Sequence, residues 1–139
     1  MIKKTAVYTD FNGNERTEDC YFHFSEPEIL ELETSTEGGF FTKTVNDIIN
    51  AKDGLKLSIL MKDLMLKAYG IKTPDGKRFI KSEEISKEFS QTQAFSTLFM
   101  ELITNEQSAA DFVNVLVPSS FAKIIKDNNS TIQFPDTKK

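Results

Sequence analysis

Cys20 and His23 are the side chains in this sequence best suited to nucleophilic or metal chemistry, and each type occurs once. A thiolate–imidazole pair needs both groups on one side of the backbone, within hydrogen-bond reach. In the extended run Cys20-Tyr21-Phe22-His23-Phe24, side chains alternate between faces, so Cys20, Phe22 and Phe24 point one way and His23 the other. A zinc site wants three or four Cys or His ligands, and the chain holds two. Carboxylates are the next candidates: Glu28, Glu31 and Glu33 in one segment, Glu83, Glu84 and Glu88 in another. Catalytic carboxylates sit in apolar clefts with displaced pKa values. These alternate with polar neighbours and read as solvated helix faces. Asp10-Asn12-Asn14 has the spacing of the first calcium-loop ligands, but the sixth-position Gly is missing and the twelfth position is Tyr21. Gly38-Gly39 and Asp75-Gly76-Lys77 lack the G-x-x-x-x-G-K-[ST] spacing that folds amides around a phosphate. The expectation is a protein that is not an enzyme, with no catalytic residues, no metal site and no cofactor.

Charge narrows the partners. The formal net charge is −4, and residues 1–70 carry 8 basic and 12 acidic side chains against 9 and 9 in residues 71–139. Eight acids lie between Glu15 and Glu37 with the single base Arg16. Nucleic-acid binders gain affinity from clustered Lys and Arg, so this balance argues against DNA or RNA. No apolar run reaches the ~18–20 residues of a membrane span, and Met1-Ile2-Lys3-Lys4 precedes no apolar signal region. A lone cysteine excludes an intramolecular disulfide and fits a reducing cytoplasm.

The elements that must position these residues follow from periodicity. Thr5–Thr9 and Cys20–Phe24 are β-branched and aromatic, and Asn12-Gly13 between them suits a tight turn, which predicts an N-terminal β-hairpin. A two-residue loop and a three-residue loop with a bulge both fit, and they set different partners opposite Val7. Ser25-Glu26-Pro27-Glu28 is a capping box that opens a helix ending near Thr34–Thr36. A second helix is predicted from about Thr42 to Ala51, stopped by Asp53-Gly54, and a third from Leu55 to Tyr69, with Gly70 as a left-handed cap. Residues 71–80 read as a loop or a very small hairpin, with Pro74 and Gly76 at turn positions. Ser82 caps the next helix. Ser90-x-x-Gln93 and Thr104-x-x-Gln107 read as the starts of two more, and Pro118 ends the second. A short helix over Ser119–Lys126 follows. The fold class expected is mainly α: an N-terminal β-hairpin followed by a compact bundle of five to seven short helices. The expected organisation is one domain over residues 1–126 (hairpin 1–25, bundle 26–126) and a polar, mobile tail over 127–139.

The segment Leu55–Tyr69 carries more apolar surface than one core face requires. At about 100° per residue, Leu57, Leu60, Met61, Leu64 and Met65 form one stripe, and Leu55, Ile59 and Leu66 form another on roughly the opposite side. A helix with two stripes is covered on both, either as the central helix of its own bundle or by another chain. Phe95, Phe99 and Phe112 cluster in sequence, and Met61, Met65 and Met100 add the adaptable contacts that binding grooves use. The candidate client or self-association surface is therefore Leu55, Ile59, Met61, Met65, Leu66, Phe95, Phe99 and Met100. Val7, Tyr8, Tyr21 and His23 are candidate contacts along the hairpin edge.

Four stretches carry a family resemblance: YTDFNGNERTEDCYFHFSE at 8–26, STEGGF at 35–40, KAYGIKTPDGKRFIKSEE at 67–84 and EFSQTQAFSTLFMELIT at 88–104. In order and spacing the chain resembles the tail assembly chaperones of long-tailed bacteriophages that infect Gram-positive bacteria. The resemblance covers about Lys3 to Pro118; Asn114-Val115-Leu116 departs from the small-residue ending of that family, and the region beyond is unassigned. It implies a non-enzymatic role: binding the tape measure protein, a long apolar helical chain, and keeping it soluble until tail tube subunits polymerise around it. The implied partners are the tape measure protein, the tail tube protein, further copies of the chain as a homo-oligomer, and a longer frameshifted form of itself. The implied place of action is the host cytoplasm, with no copies in the mature virion. Two rival readings are a structural tail component retained in the particle and a phage adaptor that binds a host protein.

Overall fold

Asp10 to Asn14 settles the register that the sequence leaves open. In the computed structural model, which describes residues 1–35 and 41–118, β1 (Ile2–Thr9) and β2 (Glu15–Phe22) pair antiparallel with Val7 opposite Thr17. The Asp10 amide donates to Asn14 O (2.8 Å) and the Gly13 amide to Asp10 O (3.0 Å). This is the three-residue loop with a bulge, and Gly13 takes the left-handed φ of +86° that the bulge requires. The Asp10 carboxylate accepts from the Asn12 and Asn14 amides and from Arg16 Nε (2.7 Å). What looks like a set of cation ligands is a carboxylate tying its own turn.

The hairpin is half of a larger sheet, which refines the expected fold. Helix α3 (Gly54–Ala68) passes directly into β3 (Tyr69–Lys72), which pairs antiparallel with β2 through Tyr21↔Gly70 and Phe22↔Tyr69. β4 (Phe79–Ile80) closes the order β1-β2-β3-β4. Gly70 is therefore not a left-handed helix cap. It needs to be glycine because an added Cβ would lie 2.6 Å from the Phe79 ring and 2.8 Å from Lys81 Cγ. The turn between the strands is as read: the Gly76 amide donates to Thr73 O (2.9 Å), and Gly76 has φ +76°.

Helices pack on one face of the sheet. The capping box of α1 (Glu26–Ser35) forms: the Ser25 amide donates to Glu28 Oε1 (2.8 Å) and the Glu28 amide to Ser25 Oγ (3.4 Å). After α2 (Phe41–Asn50), Lys52 adopts φ +57°, and Asp53 caps α3 by accepting the Lys56 amide. Asp53-Gly54 is thus the start of α3 rather than the stop of α2. Ser82 caps α4 (Glu83–Ser90) through the Ile85 amide. The next two caps differ from expectation. Thr92, not Ser90, caps α5 (Gln93–Ile103), and Asn105, not Thr104, caps α6 (Glu106–Leu116). Ser90 Oγ donates instead to Lys87 O, and Thr104 Oγ1 to Met100 O, so each closes the helix before it. The expected helix over Ser119–Lys126 and the tail over 127–139 lie outside the described residues.

The sheet lays its inner face, with Ala6, Cys20 and Phe22 buried, on α5 and α6, while α5 also contacts α3 and α4. Phe22 is the hub of the core, edge-on to Tyr69, Phe89 and Phe112 at 5.4–5.9 Å. Tyr69 stacks on Phe89 at 3.8 Å, and Phe89 leads edge-on to Phe95. Lys81 ties three segments to its own: its ammonium pairs with Glu28 (2.7 Å), donates to His23 O and Lys67 O, and lies 4.9 Å from the Phe24 ring.

Candidate interaction surfaces

Helix α3 has two apolar faces, and the fold covers one. Leu57, Met61, Leu64, Met65 and Ala68 are buried against α2, α4 and α5. On the other side Leu55 is 72% and Ile59 63% exposed, and Leu66 is half-buried. Leu66 borders a 520 Å³ cavity shared with Glu28, Lys81 and Ser86. Around this strip stand Lys52, Lys56, Lys62 and Lys67, against Asp53 and Asp63. Asp63 pairs with Lys67 at 3.0 Å and Asp53 with Lys56 at 4.0 Å.

The candidate contact residues thus separate. Met61, Met65 and Phe95 belong to the core and are not surface. Their periodicity was that of a packed face, which sequence alone could not distinguish from a binding face. Phe99 is half-buried and stacked on Phe95 (5.6 Å), whereas Met100 on the next α5 position is exposed. Leu55, Ile59 and Met100 remain as accessible apolar side chains.

The hairpin candidates also divide. Val7 is 67% exposed on the outer sheet face. Tyr8 is half-buried and donates to Glu18 (2.7 Å), a bond that pushes its pKa up to about 12. Tyr21 and His23 are not at a free edge, because β3 pairs with Tyr21 and the His23 amide donates to Ala68 O. The sheet edge beside them is occupied; among the described residues the open edge of the hairpin is that of β1. Tyr21 lies beneath the Lys72 ammonium, and His23 meets Phe79 edge-on at 5.9 Å. Sequence reading missed Phe11, which at 77% is the most exposed of the large apolar side chains described. Its signal was present: an aromatic in the first loop position of the turn has no core face to reach.

Catalytic geometry is not assembled by these residues. Cys20 is buried on the inner face, and burial, with Glu18 and Asp19 nearby, pushes its thiol up to about 11. Burial pushes the His23 imidazole below its ordinary value, aided by the amino-terminal charge and Lys81 and opposed by Glu28. Glu28 is driven up by burial, but hydrogen bonds from Lys81 and Ser25 outweigh this and hold it below the usual carboxylate value. Glu31, Glu83, Glu84 and Glu88 are solvated as expected; Glu33 is not, being 1% exposed. It stands one helical turn from buried Ile29 on the inward face of α1, which acidic composition concealed. Among the described residues no group of three or more His, Cys, Asp or Glu is placed to hold a metal, and no helix is long and apolar enough to cross a membrane.

A family model described as phage tail assembly chaperone matches residues 1–139, reaching past the Pro118 limit of the resemblance seen in sequence. No curated protein and no solved structure matches the chain.

Proposed function

Because the chain belongs to the phage tail assembly chaperone family, we propose that it binds the apolar tape measure protein, keeps it soluble and hands it over as tail tube subunits assemble. The observation that carries this reading is the family match over the whole chain. Exposed apolar side chains support it: Leu55 and Ile59 on α3, Met100 on α5, and Val7 and Phe11 on the hairpin. Covering one such side chain is worth about 2 kcal/mol. Each contact is then reversible on its own, while many copies along a rod hold it firmly. Reversibility is what displacement by tube subunits demands. The charged exterior keeps such a complex dispersed. The role is non-catalytic, its place is the host cytoplasm, and further copies of the chain, including a frameshifted longer form, take part.

Coexpression with the tape measure protein of the same genome tests the reading. The tape measure protein is expected in the soluble fraction with this chain and in the pellet without it. Equal solubility in both cases would sink the proposal. Mass spectrometry of purified virions is expected to find no copies, and stoichiometric amounts would mark a structural tail component instead.

A further inference from the structure

We infer that the outer face of α3 in one copy of the chain receives the tip and outer face of the β1–β2 hairpin of a second copy, so that copies join head to tail. This deepens the chaperone reading, on which its purpose rests, by stating how copies meet. The two surfaces are complementary in charge and alike in apolar content. Around α3, Lys52, Lys56, Lys62 and Lys67 face the two acids Asp53 and Asp63, a basic strip in a chain of net charge −4. At the hairpin tip and on the outer face toward it, Asp10, Glu15 and Asp19 outnumber Arg16, while Lys3 and Lys4 lie at the far end of β1 and Glu18 stands opposite Ala6 on the inner face. Each surface presents a pair of uncovered apolar side chains, Leu55 and Ile59 on one, Val7 and Phe11 on the other. Their exposure means that a copy's own hairpin does not cover its own α3.

Two different surfaces meeting make a heterologous contact, which each copy can form twice, once with each face. Such a contact grows into an open chain or closes into a ring, and copies joined head to tail rather than by reciprocal exchange go beyond a dimer. Opposite charge orients the approach and rejects hairpin-to-hairpin and α3-to-α3 pairing.

Sedimentation velocity on the full chain, on variants of each face and on their mixture tests this. The native chain is expected to form species beyond the dimer as its concentration rises to about 200 µM, a range that covers micromolar Kd values. Leu55→Glu with Ile59→Glu removes the receiving face, and Val7→Lys with Phe11→Lys removes the inserting one. Each variant alone is expected to sediment as a monomer with an unchanged circular dichroism spectrum. Mixed in equal amounts, they keep one intact face each and are expected to form a dimer and nothing larger. A native chain that stays monomeric, a variant that still associates alone, or a mixture that stays monomeric would each overturn the inference. Should a variant fold poorly, the milder Lys62→Glu or Glu15→Lys is expected to weaken association about tenfold, and the two together in one chain to restore it. Restoration failing would count against the contact. A native monomer that still keeps the tape measure protein soluble overturns the contact and leaves the chaperone reading standing; association without a solubilising effect does the reverse.

Discussion

Gly70 and His23 show how much of a fold can rest on single positions. The Phe79 ring and the Lys81 stem leave no space for a Cβ on Gly70. Gly70→Ala forces both neighbours aside and disturbs the ammonium that joins Glu28, His23 O and Lys67 O. Overpacking of this kind costs about 1–3 kcal/mol, and urea denaturation should register a lower midpoint by that amount. His23 is held below its ordinary 6.5 chiefly by burial. A folded-state pKa depressed below the unfolded one favours the neutral form, so the stability it contributes is present above pH 6.5 and is lost as pH falls through the folded value. The melting temperature should therefore decline as the pH falls below about 6.5. His23→Gln should flatten that window and leave the decline below about pH 4.5 that Glu28 and Asp10 produce by the same sign, their carboxylates being held low by Lys81 and Ser25 in one case and by Arg16 and the turn amides in the other.

At the scale of elements, helix boundaries test which polar residue does the capping. Thr92 Oγ1 accepts the Phe95 amide and Ser90 Oγ does not serve α5 at all. Thr92→Ala should cost about 1 kcal/mol and Ser90→Ala far less, since a lost N-cap is what the first removes; equal effects would contradict the assignment. The two faces of α3 separate more widely. Met61→Ala opens a cavity at a site with 0% exposure and should cost about 2–5 kcal/mol. Ile59→Ser removes an uncovered side chain and should stay within about 0.5 kcal/mol of the native chain. These elements also mark where sequence was legible. The Ser25–Glu28 box, the Thr73–Gly76 turn and the 3.6-residue stripes of α3, α5 and α6 are encoded locally, so spacing revealed them. β3 was not, because Tyr69-Gly70-Ile71-Lys72 has no strong strand signal and becomes a strand by pairing with β2, some 50 residues earlier in the chain. Doublets of possible caps, Ser90/Thr92 and Thr104/Asn105, are degenerate in sequence and are decided by where the preceding helix frays. The candidate surface was legible as two stripes on α3; which stripe the core takes depends on α2, α4 and α5, and periodicity carries no such information.

For the whole molecule, the distribution of charge matters more than its total. The hairpin tip is acidic and the α3 strip basic, and the association proposed through them should weaken as salt rises from 0.05 to 0.5 M because the Debye length falls from above about 10 Å toward 4 Å. Sedimentation at the two ionic strengths reads this directly; association strengthened by salt would point to a purely apolar contact. The aromatic chain through Phe112, Phe22, Tyr69, Phe89 and Phe95 holds the interior, and the exposed Leu55, Ile59, Val7 and Phe11 take no part in it.

Ala68 is the last residue of α3 and Tyr69 the first of β3, with no spacer between them. Helix and strand consequently share one unbroken backbone, and swinging α3 away from the hairpin would have to break the Tyr21–Gly70 and Phe22–Tyr69 pairs.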